Sequence, residues 1–128
     1  MKCTHIAIQT RDIEASIRFY VEYCGMRVVH DRHESFRVVW MGWGEDPPRF
    51  VIVLLDHDYE RNEQPPYQHI GIAVDSRAEV DAICARAKAA GLDVPWEPAD
   101  GGEVVGYFGA IRDPDWNMVE FSFGQRLG

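Results

Sequence analysis

The chain has 128 residues, of which 46% are hydrophobic and 27% charged, values typical of one compact globular domain. Its 21 acidic and 13 basic residues give a net charge of −8, and such a surface repels phosphate backbones and anionic lipids. The composition therefore argues against a protein that binds nucleic acid or a membrane surface.

The N-terminal stretch MKCTHIAIQT lacks the apolar core of a signal peptide, and no segment approaches the roughly 18 apolar residues of a membrane helix. The three cysteines, Cys3, Cys24 and Cys84, show no CxxC spacing and indicate reduced thiols rather than disulfides. We therefore expect a cytoplasmic protein.

Two stretches begin alike, THIAI at 4–8 and QHIGIAV at 68–74, and their histidines, His5 and His69, are 64 positions apart. In each half the alternating run predicts a strand, followed by a short polar connection, a helix and a glycine. The first helix is predicted from Ile13 to Cys24, with Asp12 as N-cap and Gly25 at its C-terminal end. Its apolar face comprises Ile13, Ile17, Tyr20 and Cys24.

The second helix is predicted to start at Ser76, which has Glu79 at capping-box spacing, and to end at Gly91. Its apolar stripe comprises Val80, Ile83, Cys84 and Ala87. Three further strands follow each helix, at about 27–31, 36–43 and 50–56 and at about 93–97, 103–111 and 117–123. The polar segment 58–66, DYERNEQPP, is predicted to link the halves.

This pattern is βαβββ twice, an α+β class with module one at about 1–60 and module two at about 66–126 of a single domain spanning 1–128. Because side chains alternate across a strand, His5 shares a face with Ala7, and His69 with Gly71 and Ala73. Glu120 lies on the face of its strand that is opposite Val119 and Phe121. Small neighbours beside a polar group are typical of a cavity floor.

Two neutral imidazoles and a carboxylate are suitable ligands for a divalent metal, and His5, His69 and Glu120 form such a set. Iron, manganese, nickel, cobalt and zinc all fit, and three protein ligands leave positions for water and substrate. The alternative is that each histidine is a hydrogen-bonded structural residue of a half-buried strand.

An acid or base is also needed near a metal of this kind, and Tyr107, in the predicted strand 103–111, has a phenol that can donate to an oxyanion. The alternative role of Tyr107 is sheet packing. Phe36 and Trp40 share one face of their strand and suit either the wall of a pocket for an apolar substrate or the core.

Three stretches, THIAIQTRDIEASIRFYVEYCGMRVV, QHIGIAV and YFGAIRDPDWNMVEFSF, resemble the vicinal oxygen chelate superfamily of glyoxalases, bleomycin-resistance proteins and extradiol dioxygenases. The resemblance implies that the modules curl an eight-stranded mixed sheet around a metal, with the helices on the outer face. It also implies that substrates chelate the metal through adjacent oxygens, with His5, His69 and Glu120 as its ligands and Glu120 in a catalytic role.

Two positions depart from the pattern of that superfamily. Matching IVLLD to VEFSF puts Val53 in the place of a fourth ligand, where glyoxalase I enzymes have a glutamate. A three-ligand set is similar to those of the extradiol dioxygenases and the fosfomycin-modifying transferases. Trp116 stands where the superfamily often has glycine, so either the turn differs in shape or the indole packs at an edge.

We therefore predict a small metal-dependent enzyme, of the lyase or isomerase type or of the ring-cleaving dioxygenase type, which binds a small-molecule substrate through vicinal oxygens. The alternative is a non-catalytic small-molecule-binding protein of the bleomycin-resistance type. A homodimer is expected because the open edges of curled sheets favour pairing.

Overall fold

The computed structural model of the protein describes residues 2–57 and 67–126. The chain divides into two compact units, Met1–Asn62 and Glu63–Gly128. The predicted linker, 58–66, lies outside the described residues. Among the helices of the described part, none is long and apolar enough to cross a membrane.

The first unit comprises β1 (His5–Gln9), α1 (Ile13–Cys24), β2 (Arg27–His33), β3 (Arg37–Gly42) and β4 (Val51–Asp56). Its sheet has the order β1-β4-β3-β2, in which β1 and β4 are parallel and the other pairs antiparallel. The bounds of α1 are those predicted, because the Asp12 carboxylate accepts the Ala15 N–H and Gly25 adopts φ 61°.

The second unit repeats this topology with β5 (His69–Ala73), α2 (Arg77–Ala89), β6 (Trp96–Asp100), α3 (Gly102–Val105), β7 (Tyr107–Arg112) and β8 (Met118–Phe123). Its sheet has the order β5-β8-β7-β6, again with a parallel first pair. The α+β class and the eight strands are confirmed, and hydrogen bonds group the strands into two mixed sheets of four.

One face of each sheet packs against the long helix of its own unit. In α2 the predicted stripe is confirmed, since Val80, Ile83, Cys84 and Ala87 are its buried residues. In α1 the prediction was incomplete: Phe19 and Tyr23 are buried on the same side as Tyr20, whereas Ile17 is only partly buried. Gly109 of β7 lets α2 approach closely, because a Cβ there would lie 2.8 Å from Cys84 Sγ.

The predicted strand at 103–111 was wrong over its first residues, where the chain forms the short helix α3. Glycines at the first position of α3 and directly after its end permit this turn, since Gly102 has φ 86° and Gly106 φ 79°. The Asp100 carboxylate accepts the Gly102 N–H. The strand therefore begins at Tyr107. The Tyr107 hydroxyl donates to Asp81 Oδ1 of α2 at 2.7 Å. This hydrogen bond places Tyr107 on the helix-covered face of the sheet.

We predict that Gly106→Ala destabilises the protein more than Gly91→Ala does. Both glycines have φ 79°, but a Cβ at Gly91 meets open space, whereas at Gly106 it would lie 2.3 Å from the Phe123 carbonyl oxygen. Gly91→Ala should cost about 1–2 kcal/mol for the left-handed backbone alone. Gly106→Ala should cost clearly more in urea unfolding, and equal losses would contradict the close backbone approach.

We also predict that the contribution of Tyr107 to stability depends on pH. The hydrogen bond to Asp81 raises the pKa of the Tyr107 phenol, with burial as a smaller cause. Stability from this bond is therefore fully present below the unfolded pKa of about 10 and is lost as the pH rises through the folded pKa. Wild type should be more stable than Tyr107→Phe at pH 8, with the difference shrinking above pH 10.

Urea unfolding at a series of pH values measures this difference, and Tyr67→Phe, at an exposed tyrosine, is the control. A gap between wild type and Tyr107→Phe that stays constant with pH would show that the phenol–carboxylate bond does not contribute to stability.

Candidate functional site

His69 and Glu120 converge on the face of the second sheet that α2 leaves uncovered. On β5, His69, Gly71 and Ala73 are exposed while Ile72 is buried, as the alternation predicts. The parallel register pairs Gly71 with Glu120 of β8. Gly71 leaves room for the glutamate, since even an added Cβ would lie 3.9 Å from Glu120 Oε1.

The Glu120 carboxylate is buried, and the residue is only 5% exposed. Its Oε2 lies 3.5 Å from Nε2 of His69, and within the described parts of the chain no other side chain pairs with it. Removing a carboxylate from water without hydrogen bonds or a cation is costly. The site therefore favours a positive charge beside Glu120.

The hydrogen bond at Nδ1 of His69 indicates which of the two ring nitrogens carries the proton. Nδ1 lies 2.8 Å from the Tyr67 carbonyl oxygen, which only accepts, so Nδ1 carries the proton. In the neutral ring the lone pair of Nε2 then faces the carboxylate. The Trp96 ring stands edge-on to the imidazole with the ring centroids 5.3 Å apart and helps to hold its orientation.

Glu120 and Trp96 line a concavity of about 470 Å³ on the second unit, and the His69 imidazole contacts the Trp96 ring. Its lining residues are Tyr67, Trp96, Glu97, Val105, Phe108 and Glu120. Both of its charged residues are acidic, and its walls are largely aromatic. Sequence reasoning missed Trp96 and Phe108, although the alternation along β6 and β7 carried a signal for them. The contact of His69 with the Tyr67 carbonyl could not be predicted from side chains, because every residue has this backbone group.

In the first unit, His5 occupies the position on β1 that His69 occupies on β5. In the first unit the parallel register pairs His5 with Val51 and Ala7 with Val53. The same places in the second unit pair His69 with Met118 and Gly71 with Glu120. Val53 is therefore the structural counterpart of Glu120, as the sequence match predicted. The exposed His5 has its Nδ1 3.1 Å from the Thr4 hydroxyl.

The first unit has its own concavity, of about 460 Å³, on the face of the sheet that carries His5. Val38, Val51 and Val53 form a buried apolar cluster there, with Val29, Phe36 and Leu55 packed against it. The residues that the structure describes contain no group of three or more His, Cys, Asp or Glu side chains that could hold a metal ion. Of the three predicted ligands, His5 lies in the first unit and His69 and Glu120 lie in the second.

Tyr107, predicted as a catalytic acid, does not lie with Glu120. Glu120 pairs with Ala110 of β7, whereas Tyr107 pairs with Phe123 and points its hydroxyl at Asp81 of α2. The guanidinium of Arg77 lies over its ring, 4.9 Å from the centroid. Since neighbouring residues of a strand alternate in face, Tyr107 and Ala110 are on opposite sides of the sheet. Tyr107 therefore packs the helix onto the sheet.

The turn that leads into β8 sets the position of Glu120. Trp116 has φ 70°, so the left-handed conformation usual for glycine is kept with a tryptophan in place. Asp113 holds the turn together, because its carboxylate accepts the backbone N–H groups of Asp115 and Asn117 at 2.9 and 2.8 Å. The Arg112 guanidinium donates to the Trp116 carbonyl.

The chain is similar to several known proteins over nearly its whole length. It is 44% identical over 127 residues to an uncharacterized protein of Pseudomonas aeruginosa, covering 98% of this chain and 90% of that one. It is 29% identical over 123 residues to a probable lactoylglutathione lyase of Vibrio cholerae, covering 91% and 86%.

Among solved structures, the trypanothione-dependent glyoxalase I of Leishmania major superposes with a TM-score of 0.79 at 24% identity, covering 97% of this chain and 87% of that one. At this identity the likeness shows the fold. The model of the Glyoxalase/Bleomycin resistance protein/Dioxygenase superfamily matches residues 2–121. With the fold and the repeated histidine strands in agreement, the chain belongs to the glyoxalase/bleomycin resistance protein/dioxygenase superfamily, the vicinal oxygen chelate proteins.

Proposed function

We propose that the protein is a metal-dependent enzyme in which His69, Glu120 and His5 hold a divalent ion that receives two adjacent oxygens of a small substrate. The buried Glu120 carboxylate, which faces the lone pair of His69 Nε2, is the observation that supports this most strongly. Two ligands with bonds of about 2.0–2.2 Å to one ion stand roughly 3.0–3.5 Å apart. The 3.5 Å between Nε2 and Oε2 fits that separation.

The bond from His69 Nδ1 to the Tyr67 carbonyl adds support, because metal-bound histidines usually donate their second N–H to such an acceptor. His5 enters the proposal through its equivalent place in the first unit and through the superfamily. Its Nδ1 is engaged by the Thr4 hydroxyl, which favours Nε2 as the ligand atom. Imidazole and carboxylate ligands suit iron, manganese, nickel, cobalt and zinc.

A divalent ion in this site supplies Lewis acidity toward a carbonyl or hydroxyl oxygen or, as iron(II), reactivity toward dioxygen. The chain's own residues do the rest. Trp96 and Phe108 provide an apolar wall that excludes water from the substrate. Glu120 is the group that we assign to accept a proton from the substrate.

Two reaction types remain in the proposal. The Vibrio cholerae relative, named a probable lactoylglutathione lyase, favours a lyase. Val53 in the place of a fourth ligand favours the three-ligand arrangement of the ring-cleaving dioxygenases. Assays with the hemithioacetal of glutathione and methylglyoxal, and with catechols under air, distinguish the two types.

We predict that Glu120→Gln lowers the affinity for Mn(II) and Zn(II) by at least about 100-fold, because it removes an anionic ligand while keeping its shape. The matched control is Glu97→Gln, which removes a carboxylate from the same concavity. Since Glu97 pairs with Lys88, its loss should change metal affinity little. Calorimetric titration of metal-stripped protein measures both.

Equal metal affinities for wild type and Glu120→Gln would contradict the metal site, provided that both unfold at similar urea concentrations. Substrate turnover should fall with metal affinity in His69→Ala and His5→Ala as well. A protein that binds its small molecule tightly with or without a chelator, and turns nothing over, would instead be a binding protein of the bleomycin-resistance type.

A further inference from the structure

The concave face of the first unit differs in charge from that of the second unit. Its lining residues include two cations, Arg32 and Arg49, and none of them is a carboxylate. This is unexpected in a chain with a net charge of −8. The lining of the second concavity contains Glu97 and Glu120 and no cation. The two faces therefore favour ligand groups of opposite charge.

The floor between the two arginines is apolar. Val38, Trp40, Val51, Val53 and Leu55 alternate along β3 and β4 onto the same face, with Phe36 beside them. Trp40 is 37% exposed even though it is a large apolar side chain. An unfilled apolar surface bordered by cations has the chemistry of a site for an amphiphilic anion.

Both arginines are available to a ligand. Arg32 lies 3.6 Å from Glu34 and Arg49 3.4 Å from Glu45, and all four side chains are largely exposed. Such surface pairs contribute little and are readily exchanged. Arg37, by contrast, is held by Asp31 and Glu14 and is not part of the concavity.

We propose that this face binds small organic anions, with an apolar or aromatic body on Trp40, Phe36 and Val53 and a carboxylate at either Arg32 or Arg49. A carboxylate there receives charge-assisted hydrogen bonds from the guanidinium group. The inference goes beyond the proposed function, because it concerns the concavity of the first unit by itself. Val53, in the place of a metal ligand, then serves as apolar floor.

The test is calorimetric titration of the full chain, stripped of metal with EDTA, using 2-naphthoate and the neutral 2-naphthamide. We expect 2-naphthoate to bind more tightly than the amide. In Arg32→Gln/Arg49→Gln its Kd should rise about tenfold, while the Kd of the amide stays unchanged. The controls are Arg18→Gln, Arg11→Gln and their double variant, which remove the same charge outside the concavity.

A second variant, Trp40→Leu, should weaken both ligands together, because it shortens the apolar wall without changing the charge. Equal affinities for 2-naphthoate and 2-naphthamide, no binding of either, or equal losses in the Arg32/Arg49 and Arg11/Arg18 double variants would each overturn the proposal.

The protein is metal-free in this titration, and the uptake of Mn(II) by the same preparation is measured separately. Binding of naphthoate by a protein that takes up no Mn(II) would therefore sink the proposed function and leave this inference standing. Uptake of Mn(II) by a protein that does not prefer 2-naphthoate to 2-naphthamide would overturn this inference and leave the proposed function standing.

Discussion

The arrangement of the candidate site depends on the buried carboxylate of Glu120. A carboxylate removed from water needs hydrogen bonds or a cation to offset its lost hydration. Here its partner among the described residues is a single imidazole whose other nitrogen is already bound to a carbonyl. The divalent ion that we propose between the two groups would satisfy both of them.

The fold positions this pair through features of the backbone. Parallel pairing of β5 and β8 brings His69 and Glu120 to the same face, and Gly71 leaves space for the glutamate. The Asp113 turn, which keeps a left-handed residue at Trp116, sets where β8 begins.

The two units show how one topology supports two different surfaces. Both have the same strand order and the same register between their first and last strands. The equivalent positions Val53 and Glu120 differ, so the first face is apolar with cations at its border and the second is acidic and aromatic.

Local signals predicted much of this arrangement. The Asp12 cap and Gly25 defined α1 because they act within one helical turn, and alternation placed His69 and Glu120 on the uncovered face. The helix α3 was missed because four residues between glycines carry no periodicity, and this error also hid the face of Tyr107.

One feature of the site could not be predicted from the residue pattern, and three expectations stay predictions. The hydrogen bond from His69 uses a backbone carbonyl, which any residue at position 67 provides. The role of His5 as third ligand, the homodimer and the cytoplasmic location remain predictions.

The most direct measurement of the central claim is anomalous X-ray diffraction from crystals grown with Mn(II). The account predicts a peak about 2.0–2.3 Å from both His69 Nε2 and a Glu120 carboxylate oxygen. A site without such a peak, in which the carboxylate instead accepts a hydrogen bond from a protonated His69, would contradict it.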